Sequence, residues 1–507
     1  MAQDVHVLAF DLLTNTLVGE IPLSNLTFSN KLNGGGQLSG VIPLKDSRNR
    51  NLDPYTSTQP GRTILVVIVN GTIRWQGMVQ SRSYVTTSGD LTVSGVELEG
   101  YLAKLQQTRD YSSHPHGFRN VGYGGSSTSL TYTSSAKIWV TNPVPPVVAA
   151  MKVIGDALSD LYTAYSSISV LGVASSSILN SAVKSHFVGA YPSINYHTAE
   201  KLPISNRATL DSMLNTLSMQ HITAGFDWHW SSALSGTSSL TYSLDFYWPR
   251  MGFDCTGGSG GSLGTNTNGI AAIDSQDIID YTYSEDSSQQ STRVFALSGG
   301  VKGYRLGIGD VSYGFTTSSK IFMDTSPPPG TAFTFNIGGT AYTATVKHIT
   351  PEGPFGFYWK MTGWSPSTPT FTAGQQVQAM ITGGPTSAGY PPMQKSSTYT
   401  HVKTAAALQN QAFSELAQLQ WPVSTNSITC AAFGQSGFGA FSVGDDIRVI
   451  QNPDERFVLG VDAFWRVVQA DWTINDYGLS TVVYSLDMPP SSNQTTGGFP
   501  GFRPPYQ

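Results

Sequence analysis

Arg62-Thr63-Ile64-Leu65-Val66-Val67-Ile68-Val69-Asn70-Gly71-Thr72-Ile73-Arg74-Trp75-Gln76-Gly77-Met78-Val79 is the stretch whose reading decides the fold. An apolar, largely β-branched run meets Asn-Gly, the pair best suited to the two positive-φ positions of a tight hairpin turn, and a second strand returns. Downstream, Val79–Thr86 and Leu91–Leu98 read as another pair around Ser88-Gly89-Asp90. Upstream, Val5–Phe10 alternates, Gly19-Glu20-Ile21-Pro22 leads into Leu26-Thr27-Phe28, and Gly34-Gly35-Gly36 breaks the chain before Leu38–Pro43. Consecutive antiparallel strands argue for a small barrel or sandwich.

Beyond this block the patterning changes. A Gly/Ser/Tyr-rich stretch from Ser112, closed by Pro143, Pro145 and Pro146, reads as a long loop and a boundary. Val147, Met151, Ile154, Leu158 and Leu161 then recur at helical spacing. Arg207–Met219 repeats that pattern, with Ser205 and Asn206 available as caps, and Leu408, Ala412, Leu416 and Leu419 mark a third helix. Ala224–Trp230 and Ser239–Trp248 form a strand pair. The segment Gly299–Met393 has no helical period and carries Pro and Gly turns, so it reads as a small β domain inserted after a strand ending near Leu297. The order strand, turn, strand, strand, turn, strand over Arg62–Leu98 recurs over Asp446–Leu486. Either one β module is duplicated at the two ends, or hairpin-rich chain has matched itself by chance.

Charge is scarce. The 507 residues include 28 Lys and Arg and 33 Asp and Glu, 12% charged against roughly 25% in an ordinary soluble domain. A net charge of −5 leaves no basic footprint, which excludes phosphate-backbone binding and sequence-specific nucleic-acid readout. The longest aliphatic run, Ile64–Val69, is far below a membrane span, and Met1–His6 carries neither the basic patch nor the apolar stretch of a secretory leader. The expectation is a chain that is neither inserted stably in a membrane nor exported by the usual route. Cys255 and Cys430 lie in no CxxC pair and read as buried or incidental thiols.

Few groups fit catalysis. Gly257-Gly258-Ser259-Gly260-Gly261 matches GxSxG, but its flanks are Gly, Ser, Thr and Asn instead of a strand and a helix. His114-Pro115-His116 has a spacing that would give zinc two ligands, yet no third ligand or HExxH is visible. The carboxylate pairs Glu97/Glu99, Glu285/Asp286 and Asp445/Asp446 raise glycosidase chemistry, with Glu97 and Glu99 expected on one strand face and Asp445 and Asp446 at a strand entrance. Gly307-Ile308-Gly309 lacks the third glycine of a dinucleotide fingerprint. Of the aromatic candidates for sugar stacking, Trp359 and Trp364 lie in the inserted segment, where cross-strand packing competes with glycan contact. The reading is therefore no catalytic residues, no cofactor and no metal.

Pro60-Gly61-Arg62 through Val69, Arg74–Val79, and Gly89-Asp90-Leu91 through Gly100-Tyr101-Leu102 together resemble the opening of the baseplate hub, or tail-tip hub, a minor tail protein of long, non-contractile-tailed phages of actinobacteria. Arg207–Leu210, Gly225–Trp228, Leu244–Arg250, Thr292–Leu297 and Val443–Val449 follow in the same order. The resemblance covers roughly residues 5–110, 200–300 and 400–488 and misses the segment from Gly299 to Met393. It implies a mainly β fold with a few helices (α+β): two tail-tube-like β-barrel modules, a small α/β middle domain and an inserted small β domain. The corresponding boundaries are 1–111 for the first barrel and 112–146 for the loop. The α/β domain would take 147–298, the insertion 299–395, the second barrel with its helix 396–490, and an extended arm 491–507. It further implies a non-enzymatic virion protein at the distal tail tip, made in the host cytoplasm. That protein would be a homotrimer whose six barrels match a hexameric distal tail ring, beside the tape measure protein and other minor tail or central fibre proteins. Two other readings predict different behaviour: a tail-borne wall hydrolase depending on His114 or His116, and a glycan-binding tip depending on Trp359 or Trp364.

Overall fold

A computed structural model of the chain describes residues 4–106, 146–166, 178–187, 209–219, 226–236, 238–248, 250–253, 255, 273–274, 277–298, 305–309, 311–352, 356–382, 391–399, 405–420, 423–432, 440–451, 461–475 and 480–487. The fold is mainly β with few helices.

The N-terminal unit comprises β1 (Val5–Asp11), β2 (Leu17–Glu20), β3 (Ser24–Lys31), β4 (Gln37–Pro43), the short helices α1 (Ser47–Asn51) and α2 (Pro54–Ser57), β5 (Thr63–Val69), β6 (Thr72–Val85), β7 (Asp90–Glu97) and α3 (Leu98–Leu102). The expected hairpin joins β5 to β6, and Asn70 (φ 51°) and Gly71 (φ 76°) supply its two left-handed positions. The strand pairs expected to meet at Val79 are one long strand, β6, which pairs β5 and then β7 and absorbs an irregularity between Val79 and Ser81. An extra residue in one strand bends it without ending it. Every residue of β5 is buried. Leu65, Val67 and Val69 pack in one core while Ile64, Val66 and Ile68 pack in a second, so both faces are covered and the sequence is continuously apolar where a half-exposed strand would alternate.

That second core belongs to a middle unit of α4 (Pro146–Ser166), a short 3-10 turn, β8 (Ala182–Phe187), α5 (Leu210–Met219), β9 (Asp227–Ser235) and β10 (Ser239–Trp248). The stripe expected on α4 is the buried one: Val147, Met151, Ile154 and Leu158 are all under 5% exposed. β10 lies between β8, parallel to it, and β9, antiparallel. Ser205 and Asn206 lie outside the described residues.

The rest of the chain holds β11 (Ile273–Asp274), β12 (Ile278–Asp286), β13 (Arg293–Ser298), β14 (Arg305–Gly309), β15 (Ser312–Thr316), β16 (Ile321–Met323), β17 (Ala332–Ile337), β18 (Thr340–Pro351), β19 (Phe357–Ser365), β20 (Gln376–Ile381), β21 (Gln394–Tyr399), α6 (Ala405–Leu419), β22 (Val423–Ala431), β23 (Asp446–Gln451), β24 (Val461–Ile474) and β25 (Ser480–Asp487). β15-β16-β19-β18-β17-β20 close into a barrel, entered from β14 and left through β21, which flank β13 in a small sheet. Leu408, Ala412 and Leu416 of α6 share one core with that sheet and the barrel.

The two ends of the chain repeat one topology. The N-terminal unit runs β3-β4-β7-β6-β5-β1, and the C-terminal strands run β12-β22-β25-β24-β23-β11 in the same sequence order, with everything from β13 to α6 lying between β12 and β22. β6 and β24 are both 14-residue strands, each irregular at about its middle, between Val79 and Ser81 and between Val467 and Gln469. The strand echo over Asp446–Leu486 is therefore matched element for element; one difference is that β11 runs parallel to β23 while β1 runs antiparallel to β5. Strand patterning leaves a small barrel or sandwich open for the first unit, and the resemblance implies a barrel module at each end. Instead β3 pairs β24 antiparallel, so both units run on in one 13-stranded sheet, and the closed barrel lies in the inserted segment. Pairing β3 to β24 satisfies backbone groups that a lone unit leaves open at its edge.

Candidate functional site

Of the carboxylates singled out for acid–base chemistry, Glu97, Glu99, Asp286, Asp445 and Asp446 have structural partners. Glu97 ends β7 and Glu99 lies in α3, so the chain passes from strand to helix between them and they share no strand face. Both are 2% exposed. Glu97 Oε2 accepts from Gly36 N at 2.6 Å and Lys31 N at 3.3 Å, and Oε1 from Asn30 Nδ2 at 2.6 Å. Glu99 Oε1 accepts from Trp230 N at 2.8 Å and lies 2.6 Å from His229 Nδ1. These groups clasp the β3–β4 turn and β9 onto the end of the first unit. Burial, reinforced by Glu99, pushes the Glu97 carboxyl up to about 8. Burial pulls the His229 imidazole down, but the charge and hydrogen bond of Glu99 outweigh it and raise the ring to about 9.

Both groups hold protons more tightly folded than unfolded, so the stability they lend is complete at acid pH and is lost as pH rises through the folded values. The expected result is a thermal midpoint that falls from pH 4.5, the ordinary glutamate value, to about 9, with Glu97 acting up to about 8 and His229 between 6.5 and about 9. Glu97→Gln should flatten the part of that fall below pH 8, because the amide has no proton to lose. Scanning fluorimetry across this range checks it; an unchanged slope in the variant removes Glu97 as its source.

A second cluster pins three parts of the chain together. Asp227 of β9 accepts from Asn33 Nδ2 at 2.8 Å, from Met251 N at 2.7 Å and from Arg466 Nη2 of β24. The Arg466 side chain also donates to Gly444 O at 3.2 Å and Met251 O at 3.1 Å. Asp445 accepts from Phe253 N and Ser442 N, both at 2.7 Å, and Asp446 pairs with Arg250. Burial first, and then Asp446, raise Asp445 to about 6. Gly252 (φ 94°) and Gly444 (φ 96°) meet here backbone to backbone, and a Cβ on Gly252 would lie 2.2 Å from Gly444 O. Only glycine combines that φ with that approach. Asp445 and Asp446 thus fasten residues 250–253 to the entrance of β23.

Glu285 and Asp286 end β12, where Asp286 accepts from Ser288 N at 2.7 Å in an exposed turn. Gly307-Ile308-Gly309 lies in β14, and both cysteines are buried thiols outside any disulfide. His114, His116 and Gly257–Gly261 fall outside the described residues. Among the described residues no group of three or more His, Cys, Asp or Glu is placed to hold a metal ion. No helix there is long and apolar enough to cross a membrane. Trp359 lies inside the closed barrel, 1% exposed, its Nε1 donating to Thr325 O at 2.8 Å and its ring 4.6 Å from Phe333. A ring so enclosed offers no face to a sugar, so for Trp359 cross-strand packing is the reading that stands. Trp364 is half-buried against Phe335 at 5.2 Å, beside Tyr342 and Phe371.

No protein-family model matches the chain, and no curated protein matches it. Among solved structures, the tail protein from Neisseria meningitidis MC58 is similar over 96% of this chain and 97% of its own, with 13% identity and a TM-score of 0.47. The 43 kDa tail protein of prophage MuSo2 from Shewanella oneidensis covers 96% and 98% at 10% identity and 0.46. Prophage tail protein gp18 from Listeria monocytogenes EGD-e covers 96% and 95% at 8% identity and 0.37. Likenesses this distant decide neither the activity nor the partners of this chain.

The sequence also hides groupings that folding creates. His186 Nε2 lies 2.8 Å from Asp245 Oδ1, while Ser231 Oγ and Ser243 Oγ reach Asp245 Oδ2 at 3.0 and 2.7 Å. These are the residue types of a nucleophilic triad in the wrong order: the carboxylate stands between serine and imidazole, so histidine is not placed to take the serine proton. Asn15 (φ 52°) bonds Leu240 N at 3.2 Å and Leu240 O at 2.7 Å, taking the place of a strand neighbour to β10. No local pattern announces these pairs, which are 59 residues apart for His186–Asp245 and 225 for Asn15–Leu240.

Proposed function

We propose that this protein is a structural subunit of a phage tail, the trimeric hub of the distal tip, forming part of the channel through which tape measure protein and DNA pass. The observation that carries the reading is the repetition of one six-strand unit, β1 with β3–β7 at one end and β11, β12 with β22–β25 at the other, fused side by side in one sheet. Two such units per chain in three copies make a ring of six, which fits a six-fold tail ring above it. The ordered resemblance from Pro60 to Val449 supports the same assignment. So does the composition, since surfaces buried against other subunits are depleted of charge and enriched in aromatic residues. The described carboxylates named for catalysis mostly hold the chain's own segments together, which favours a building block over a hydrolase. Its partners are then other copies of itself, the distal tail ring, the tape measure protein and further tip proteins, and its place is the virion.

Light scattering and electron microscopy of the purified full chain test this. Three copies in a ring with six similar lobes are expected, and a stable monomer that joins no tail structure would overturn it. A channel wall of Ser, Thr and Asn lets polymers slide without adhering, so a strongly basic lumen in a reconstructed ring would count against the channel role.

A further inference from the structure

Matching the two units strand for strand exposes an asymmetry. Where β3 pairs β24, Gln469, Ala470, Asp471, Trp472, Thr473 and Ile474 stand opposite Lys31, Asn30, Ser29, Phe28, Thr27 and Leu26. The bulge at Val467 and that at Val79 set the second half of β24 against the second half of β6, placing Trp472 with Tyr84. The β22 and β4 registers likewise place Phe28 with Tyr283. The occupied pair is buried: Trp472 is 4% and Phe28 2% exposed, their rings stacked with centroids 6.2 Å apart. Its counterparts are far more exposed, Tyr84 at 48% and Tyr283 at 38%, with Val85 at 47%. Among the described strands, β6 beyond Val79 pairs only β7, and β12 pairs only β22.

We infer that β12 of one copy adds antiparallel to the second half of β6 of the next copy, repeating between chains the β3·β24 pairing made within one. This deepens the ring assembly proposed above and rests on it. Carrying over the internal register sets Tyr84 opposite Tyr283, Ser83 opposite Ser284, Val85 opposite Thr282 and Arg82 opposite Glu285. The register sets an aromatic position opposite an aromatic one and a basic position opposite an acidic one, both favourable pairings across antiparallel strands. Arg82 already donates to Tyr55 O and lies over that ring at 5.2 Å, and a guanidinium retains further donors for a carboxylate. The occupant is a second copy because the chain itself displays the mating strand. The two edges differ, so the contact is head to tail, and three such contacts close a ring.

The test is disulfide trapping in the full chain with Tyr84→Cys and Tyr283→Cys together, the native Cys255 and Cys430 being buried. Mild oxidation should convert most of the double variant into a covalent three-copy species on non-reducing gels, while each single variant gives no more cross-linked product than the parent. In parallel, Arg82→Glu should weaken assembly at least tenfold in concentration, and adding Glu285→Arg should restore it. Rings on light scattering without either trapping or rescue would overturn the seam and leave the ring. Monomers at every concentration would overturn both.

Discussion

Replacing Arg466 by methionine is expected to cost about 3–5 kcal/mol, the usual loss when one partner of a buried ion pair is removed. Arg466 is 6% exposed and its guanidinium serves Asp227, Met251 O and Gly444 O at once. Methionine fills similar volume but leaves the Asp227 carboxylate at 5% exposure without its cation. The change also removes a charge that helps the Ser442 and Phe253 backbone hydrogen bonds hold Asp445 down against burial and Asp446. The Asp445 pKa should then rise further above about 6, and since a raised carboxyl loses its stabilising contribution as pH rises, the deficit should be larger at pH 8 than at pH 5. Adding Asp227→Asn should recover about 0.5–3 kcal/mol, the range of coupling between residues in contact. Denaturant unfolding of the parent and the two variants at both pH values measures it. A single-variant loss below about 1 kcal/mol would mean the pair is dispensable.

The second large effect lies in the inserted barrel. Trp359→Ala empties a position enclosed by Phe333 and Phe335 and leaves Thr325 O without its donor, so a loss of about 3–5 kcal/mol is expected. Trp364, half-buried at the edge of the same aromatic group, should cost clearly less on the same substitution. Because the barrel joins the remainder through β14 and β21, the loss should appear first as proteolysis within residues 312–381 while the 13-stranded sheet resists. A Trp359→Ala chain that keeps parent stability but loses glycan binding would reverse the reading of this residue.

What was legible in advance was local. Asn70-Gly71 requires two left-handed positions whatever surrounds it, and the stripe on α4 must find a core because its spacing leaves no other face to bury it. The recurrence over Asp446–Leu486 was visible too, since turn residues and strand lengths are carried by neighbouring positions. The sequence sets Glu97 and Glu99 on one strand face for the same reason: a β-like pattern gives no sign that the chain turns helical at Leu98, a change made when Leu98 and Leu102 pack under the middle unit. Trp359 could be placed in a strand but not inside a closed barrel, because closure depends on β20 meeting both β15 and β17.

By itself the sequence determined strand-rich local structure, its hairpins, the three longer helices and a surface poor in charge. All of these follow from interactions within a few residues. Only the tertiary structure decided that β3 joins β24, that Asp227 meets Arg466 across 239 positions, and that the second half of β6 and the outer side of β12 remain open edges among the described strands. Those outcomes are set by which backbone edges and buried charges come together when distant segments pack, and spacing along the chain carries no record of that.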